Sequence, residues 1–214
     1  MRTKRLMAVL LTTLLLFGSI FPSMSLAAAP SISVTLDKTT ASVGDIVTAT
    51  ISVNGIQNFA GYQANIKYDP AVLQPLYSET EPYDSSSVPD YGTLLQKRYS
   101  QTDMASNDLV NGTLTFGRTY MNLEGYKNSG NPESTGTLAI IKFKVLKKAA
   151  TQIKLQNAPS LTNPVDGTMV FDWTGTQLSN YTVEQAPILN NDGTQPSTEP
   201  STQPSTQPSP ITGS

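Results

Sequence analysis

The 214-residue chain contains no cysteine and no histidine, and only one tryptophan. Without cysteine there are no disulfides, so stability must come from an ordinary apolar core. Without histidine there can be no Ser-His-Asp or Cys-His nucleophile system, and no typical zinc site. Basic charge is also short. Arg2, Lys4 and Arg5 open the chain, and setting them aside leaves eleven basic against sixteen acidic residues, a net charge of about −5. That balance argues against nucleic acid, which needs a basic footprint. No basic amphipathic helix suggests a membrane surface. Long apolar runs are missing except at the start.

That one run, Leu6–Phe17, follows the basic opening and precedes Ser25-Leu26-Ala27, small residues of the kind a signal peptidase reads. Residues 1–27 are therefore expected to be a secretory signal, too short and wrongly flanked for a transmembrane anchor. The other end, 191–214, carries four tandem Thr-x-Pro-Ser units from Thr194 and then Pro210. A proline every fourth residue with nothing to bury makes an extended, disordered linker. Because the pattern is still running at Ser214, a further module beyond the linker is expected, such as a cell-surface attachment. Residues 28–190 are left as one domain of ordinary size.

Within that domain, short alternating runs stand between turn signals. Ile32, Val34 and Leu36 alternate with Ser31, Ser33 and Thr35. Val47, Ala49, Ile51 and Val53 alternate with Thr48, Thr50 and Ser52. Asn54-Gly55 and Asn111-Gly112 mark turns. Leu73 and Leu76 suggest a short strand, Leu94, Leu95 and Tyr99 another, and 113–120, 141–145, 153–155, 170–173 and 181–183 complete the set. Residues 122–134 carry Gly125, Gly130 and Pro132 and read as a crossover with room for one helical turn. The sum is an all-β fold of about nine short strands, a β-sandwich of the jelly-roll or immunoglobulin-like kind with a short helical crossover.

Candidate sites compete with plainer readings. Glu79, Glu81, Asp84 and Asp90 share one loop and could supply a glycosidase pair or a calcium site, but loop acids are usually only solvated. Trp173 in VFDWTG could stack on a sugar, yet its apolar neighbours favour packing. Lys142 and Lys144 are the outward half of a strand, where lysine discourages edge pairing. Asn111 and Asn180 sit in glycosylation sequons. The stretch FAGYQANIKYDP, 59–70, has the most interesting pattern. Tyr62, Ala64, Ile66 and Tyr68 form an apolar row, while Gly61, Gln63, Asn65 and Lys67 form an uncharged or weakly charged row on the other side. Gly117 lies between outward Thr115 and Thr119 on another strand. Glycine weakens a strand and often marks a close backbone approach, so these two strands read as one flat binding platform. Arg118 breaks the pattern, since alternation from Phe116 predicts an inward apolar residue there.

These blocks resemble a cohesin domain of the type II class, from scaffolding or anchoring proteins of bacterial cellulosomes. The resemblance is carried by VGDIVTATISVNGIQNFAGYQANIKYDPAVLQP at 43–75, GTLTFGRTYMNLEGYKNSG at 112–130, TGTLAIIKFKVLKK at 135–148 and GTMVFDWTGTQLSNYTV at 167–183. It implies a nine-stranded jelly roll without catalytic residues. One sheet face would receive a dockerin, a small module with two calcium-binding helix–loop segments. It implies a partner-binding face made of Gly61, Gln63, Asn65 and Lys67, with Thr115, Gly117 and Thr119 beside them, and with Leu95 and Lys97 from the preceding strand. The calcium would belong to the dockerin, so no cofactor or metal is expected in this chain. A carbohydrate-binding sandwich is the other reading, and it would work through exposed aromatic rings.

Overall fold

The computed structural model describes residues 29–96, 99–157 and 167–190. The expected signal and linker lie outside the described residues. Strands form where valine, isoleucine and threonine alternate, because branched side chains fit a pleated, half-buried surface. In chain order the strands are β1 (Ser31–Leu36), β2 (Ile46–Asn54), β3 (Phe59–Lys67), β4 (Leu73–Leu76), β5 (Asp90–Tyr91), β6 (Gln101–Asp108), β7 (Thr113–Tyr120), β8 (Gly136–Val145), β9 (Lys154–Leu155), β10 (Met169–Asp172) and β11 (Thr182–Glu184). A single short helix, α1 (Leu123–Asn128), lies between β7 and β8 among the described residues. Asn122 caps it, its side-chain oxygen accepting from Gly125 N at 2.9 Å.

Two sheets pack face to face. One has the order β11-β1-β2-β8-β4, with β5 also on β8; the other has the order β10-β3-β7-β6, with β9 also on β3. The β1–β11 pair is parallel, and the remaining ladders are antiparallel. Val34, Val47, Ala49, Ile51 and Phe143 from the first sheet meet Ala64, Ile66, Leu114 and Phe116 from the second in one buried cluster. The Asn111-Gly112 turn joins β6 to β7, with Gly112 at φ +66°. A Cβ there would sit 2.3 Å from Tyr68 O, so both conformation and space require glycine.

One end of the sandwich is closed by rings. Tyr99, Tyr120 and Tyr126 have centroids 4.8–5.3 Å apart, and Trp173 stands edge-on to Tyr126 at 6.3 Å. This places the lone tryptophan in packing, as its neighbours in sequence imply. The Tyr126 hydroxyl donates to Phe59 O at 2.8 Å and accepts from Glu133 N. The Glu133 carboxylate in turn accepts from Leu95 N and from the Tyr120 hydroxyl, at 2.9 and 3.2 Å.

Burial pushes the phenols of Tyr68, Tyr91 and Tyr126 up to about 12, and those of Tyr62 and Tyr83 further. A folded value above the unfolded one, near 10, favours the fold fully below about pH 10. That contribution is lost as pH rises through about 12. Thermal melts between pH 8 and 12 should therefore hold level to about pH 10 and then fall, with phenolate absorbance rising in step with unfolding. Ionisation of these five buried phenols near pH 10 in a chain that stays folded would contradict this.

Candidate functional site

The outer face of the β10-β3-β7-β6 sheet is a grid fixed by register. Gly61 lies between Phe171 and Thr119, Gln63 between Met169 and Gly117, Asn65 beside Thr115, and Lys67 beside Thr113. On the far side of β7, β6 adds Thr102 opposite Thr119, Met104 opposite Gly117, Ser106 opposite Thr115 and Asp108 opposite Thr113. Gly61, Gln63, Asn65, Lys67, Thr115, Gly117 and Thr119 thus share one surface.

The polar row is less open than alternation suggests. Gln63 is 8% exposed and Asn65 3% exposed. Each is tied to its own chain: Gln63 Nε2 donates to Gly167 O at 2.8 Å, and Asn65 Nδ2 donates to Thr115 Oγ1 at 2.8 Å. Asn65 Oδ1 is buried with no partner. Lys67 Nζ reaches Asn111 O and, at 3.3 Å, Thr113 Oγ1. The glycines serve the fold itself. A Cβ on Gly61 would meet Thr119 Oγ1 at 2.5 Å, and one on Gly117 would meet Tyr62 O at 2.4 Å. The close approach that they permit here is between neighbouring strands.

Leu95 does not belong to this face. It sits in a bend before β6, at φ +57°, fully buried. Its amide is held by Glu133, so the strand expected around Leu94, Leu95 and Tyr99 does not form. Lys97 lies outside the described residues. The strand beside β7 is instead β6, whose sequence QTDMASND has no apolar alternation because it is an exposed edge. Periodicity therefore gives no sign of Thr102, Met104 and Ser106. Register also brings in Met169 and Phe171 of β10. Their strand is legible in sequence, but its place beside β3 is not.

Arg118 does point inward, as alternation requires, and it is satisfied there. Its guanidinium pairs with Asp103 through two bonds of 2.6 and 3.0 Å and lies 3.5 Å from the centroid of Tyr91. Donation to the Asp103 carboxylate holds the guanidinium above its ordinary value. A bidentate pair stacked on a ring needs the planar fork of arginine. It fastens edge strand β6 to β5 of the opposite sheet.

The loop acids behave as solvated groups. Glu79, Glu81 and Asp84 are exposed. Asp84 is held below its ordinary range by bonds from Ser86 N and the Ser87 and Ser86 hydroxyls. Among the described residues, no group of three or more acidic, histidine or cysteine side chains could hold a metal.

At the α1 end of the face the surface dips into a hollow of about 350 Å³, floored by Gly117 and Thr119 and walled by Met104, Leu123 and Phe171. The Cohesin domain profile matches residues 32–176. The chain belongs to the cohesin family. A type II cohesin from Bacteroides cellulosolvens is 46% identical, with a TM-score of 0.70 over 75% of this chain and 99% of that one. The second type II cohesin module of an Acetivibrio cellulolyticus adaptor scaffoldin is 41% identical, with a TM-score of 0.71 over 76% of this chain and 97% of that one. A type II cohesin–X–dockerin complex from Acetivibrio cellulolyticus contains a chain 39% identical, with a TM-score of 0.70 over 76% of this chain and 99% of that one. Cell surface glycoprotein 1 of Acetivibrio thermocellus is 42% identical over 191 residues, which is 88% of this chain but 8% of that protein. The cohesin relatives are jelly-roll sandwiches, and the two packed sheets here share that architecture. A cohesin domain is a protein–protein interaction module rather than a catalyst.

Proposed function

We propose that this cohesin is a secreted docking module. It receives a calcium-loaded type II dockerin on the outer face of β10-β3-β7-β6 and so attaches a dockerin-bearing enzyme or scaffold to a cellulosome or cell surface. The observation that carries this reading is the face itself, a broad sheet surface whose centre is uncharged, with Lys67, Lys154 and Asp108 at one end and Asp172 at the other. A helix can lie along such a face with little desolvation of charge. Gly61, Gln63, Asn65, Lys67, Thr115, Gly117 and Thr119 form its centre, and exposed β6 extends it. A standard interface buries about 800 Å² per partner, an area that four adjacent strands can supply. The metal belongs to the guest, and the face contributes affinity and orientation.

Calorimetric titration with a calcium-loaded type II dockerin tests this. Binding is expected in calcium and is expected to vanish in chelator, while the melting temperature of the cohesin alone stays the same. Ser106→Arg, on an exposed position of the face, should weaken binding at least ~10-fold, since a desolvated unpaired charge costs more than 1.4 kcal/mol. No binding to any dockerin class in calcium would end the proposal.

A further inference from the structure

We propose that a groove at the end of the sandwich away from α1 holds one proline of the chain's own Thr-x-Pro-Ser tail, which folds the tether back onto its domain. The groove lies beyond the last residues of β3 and β8 and encloses about 130 Å³. Pro70, Pro75 and Leu146 give it apolar walls, and no charged side chain lines it. Tyr68 and Tyr83 set its chemistry. Both are buried, at 4% and 5% exposure. Among the described residues neither hydroxyl has a hydrogen-bond partner, and the side-chain amide of Gln74 beside them has none either. Burial keeps both phenols protonated, so they are donors at any ordinary pH. The backbone nearby is already spent, with Tyr83 N donating to Pro75 O at 3.0 Å and Leu146 N to Val72 O at 2.8 Å. Unspent donors beside apolar walls suit a ligand that brings carbonyls and rings. A proline-rich strand brings both, since proline has a carbonyl but no N–H. Such strands dock in aromatic-lined grooves as extended helices.

The tail is the occupant because of where it starts. Asn190 donates to Thr39 O at 2.8 Å and accepts from Ala41 N at 3.2 Å. Three residues further on, Gly44 N donates to Val145 O at 2.8 Å, and Val145 precedes the groove's Leu146. At ~3.6 Å per extended residue that path is about 20 Å at most. Pro196, Pro200, Pro204 and Pro208 follow Asn190 by 6 to 18 residues. At about 3.1 Å per residue they reach from roughly 19 to 56 Å, so every unit after the first has length to spare. Charge agrees as well, because Glu199 is the only charged residue between Thr194 and Ile211. Tethering holds the tail at an effective concentration in the millimolar range, so a site with millimolar affinity for one proline is about half filled. Capture of Pro204 would fold fourteen residues back against the domain, and the reach of the tether then depends on which unit is held. The contact forms with or without a guest on the docking face.

The test uses the full chain with Ser201→Cys carrying a nitroxide, a unique label because the chain has no other thiol. In NMR spectra the amide signals of Gln74, Tyr83 and Leu146 should lose about half their height to the spin label, while Gly61 and Thr102 at the α1 end keep theirs. Tyr83→Phe keeps the ring and breaks no bond of the fold. It should leave the melting temperature unchanged and cut the signal loss about threefold, the effect of one hydrogen bond. Changing Pro196, Pro200, Pro204 and Pro208 together to alanine should abolish the loss. Broadening spread evenly around Asn190 and unmoved by Tyr83→Phe would mean a free tail and overturn the proposal. So would equal loss in a mixture whose chains carry either the isotope or the nitroxide, since the occupant would then be the tail of a second copy. Groove signals that respond to a soluble β-glucan oligosaccharide but not to the nitroxide would assign the groove to sugar instead.

Discussion

Gly117→Val is expected to unfold the docking face rather than merely block it. A Cβ at 117 falls 2.4 Å from Tyr62 O, 3.2 Å from Gln63 Cα and 3.3 Å from Met104 Cγ. The first two obstacles are backbone atoms of the paired strand, which cannot swing aside as a side chain end can. β3 and β7 must separate locally, and overpacking of that kind costs about 3 kcal/mol. At 2–4 °C per kcal/mol for a domain of this size, the melting temperature should drop by about 10 °C. Gly61 differs in kind. Its obstacle is the Thr119 side chain, with Oγ1 at 2.5 Å and Cβ at 2.8 Å. Thr119→Gly should therefore recover most of the stability lost in Gly61→Ala, and no single partner change should recover Gly117→Val. A Gly117→Val melt within 2 °C of the parent would refute the steric account. A charged residue at 117 is for the same reason a poor probe of docking, because lost affinity would only report a damaged sheet.

The second large effect is expected at Tyr126. Its ring is fully buried against Tyr99, Tyr120 and Trp173, and its hydroxyl joins β3 to the segment before β8 through Phe59 O and Glu133 N. Tyr126→Ala removes the ring and both hydrogen bonds of its hydroxyl. Large-to-small changes of this type cost about 4 kcal/mol. Tyr126→Phe keeps the packing and loses only the hydroxyl, for about 2 kcal/mol. Urea denaturation should show two steps of that order with an unchanged slope. Equal stability of Tyr126→Phe and the parent would mean that the two backbone groups find water instead.

Alternation made the centre of the fold legible. The β2 pattern of Val47, Ala49, Ile51 and Val53, the turn at Asn111-Gly112 and the paired threonines of β7 appear in the structure where the periodicity puts them. Three features did not follow from pattern. Leu95 looks like a strand residue because it is apolar beside Leu94, yet its left-handed backbone and its bond to Glu133 are tertiary facts. β6 is an edge with solvent along most of its length, so nothing in it had to be hydrophobic, and its rim methionine was hidden for that reason. Gly61 and Gly117 read as places of close approach and are such places, but a sequence cannot say what approaches. Arg118 is the converse case. The period was right and the chemistry unexpected, because the partners that make an inward arginine tolerable, Asp103 and Tyr91, come from two other strands.

The parallel pairing of β1 with β11 has a mechanical side. Ser31 is opposite Thr182 and Ser33 opposite Glu184, while Asn190 bridges in parallel to Thr40 further along. Tension applied at residue 31 and at residue 190 pulls the two strands lengthwise past each other, so the hydrogen bonds between them are strained together. A load that would peel a hairpin open one rung at a time here meets the whole ladder at once, and a tethered domain wired this way resists drag better than its equilibrium stability alone would suggest.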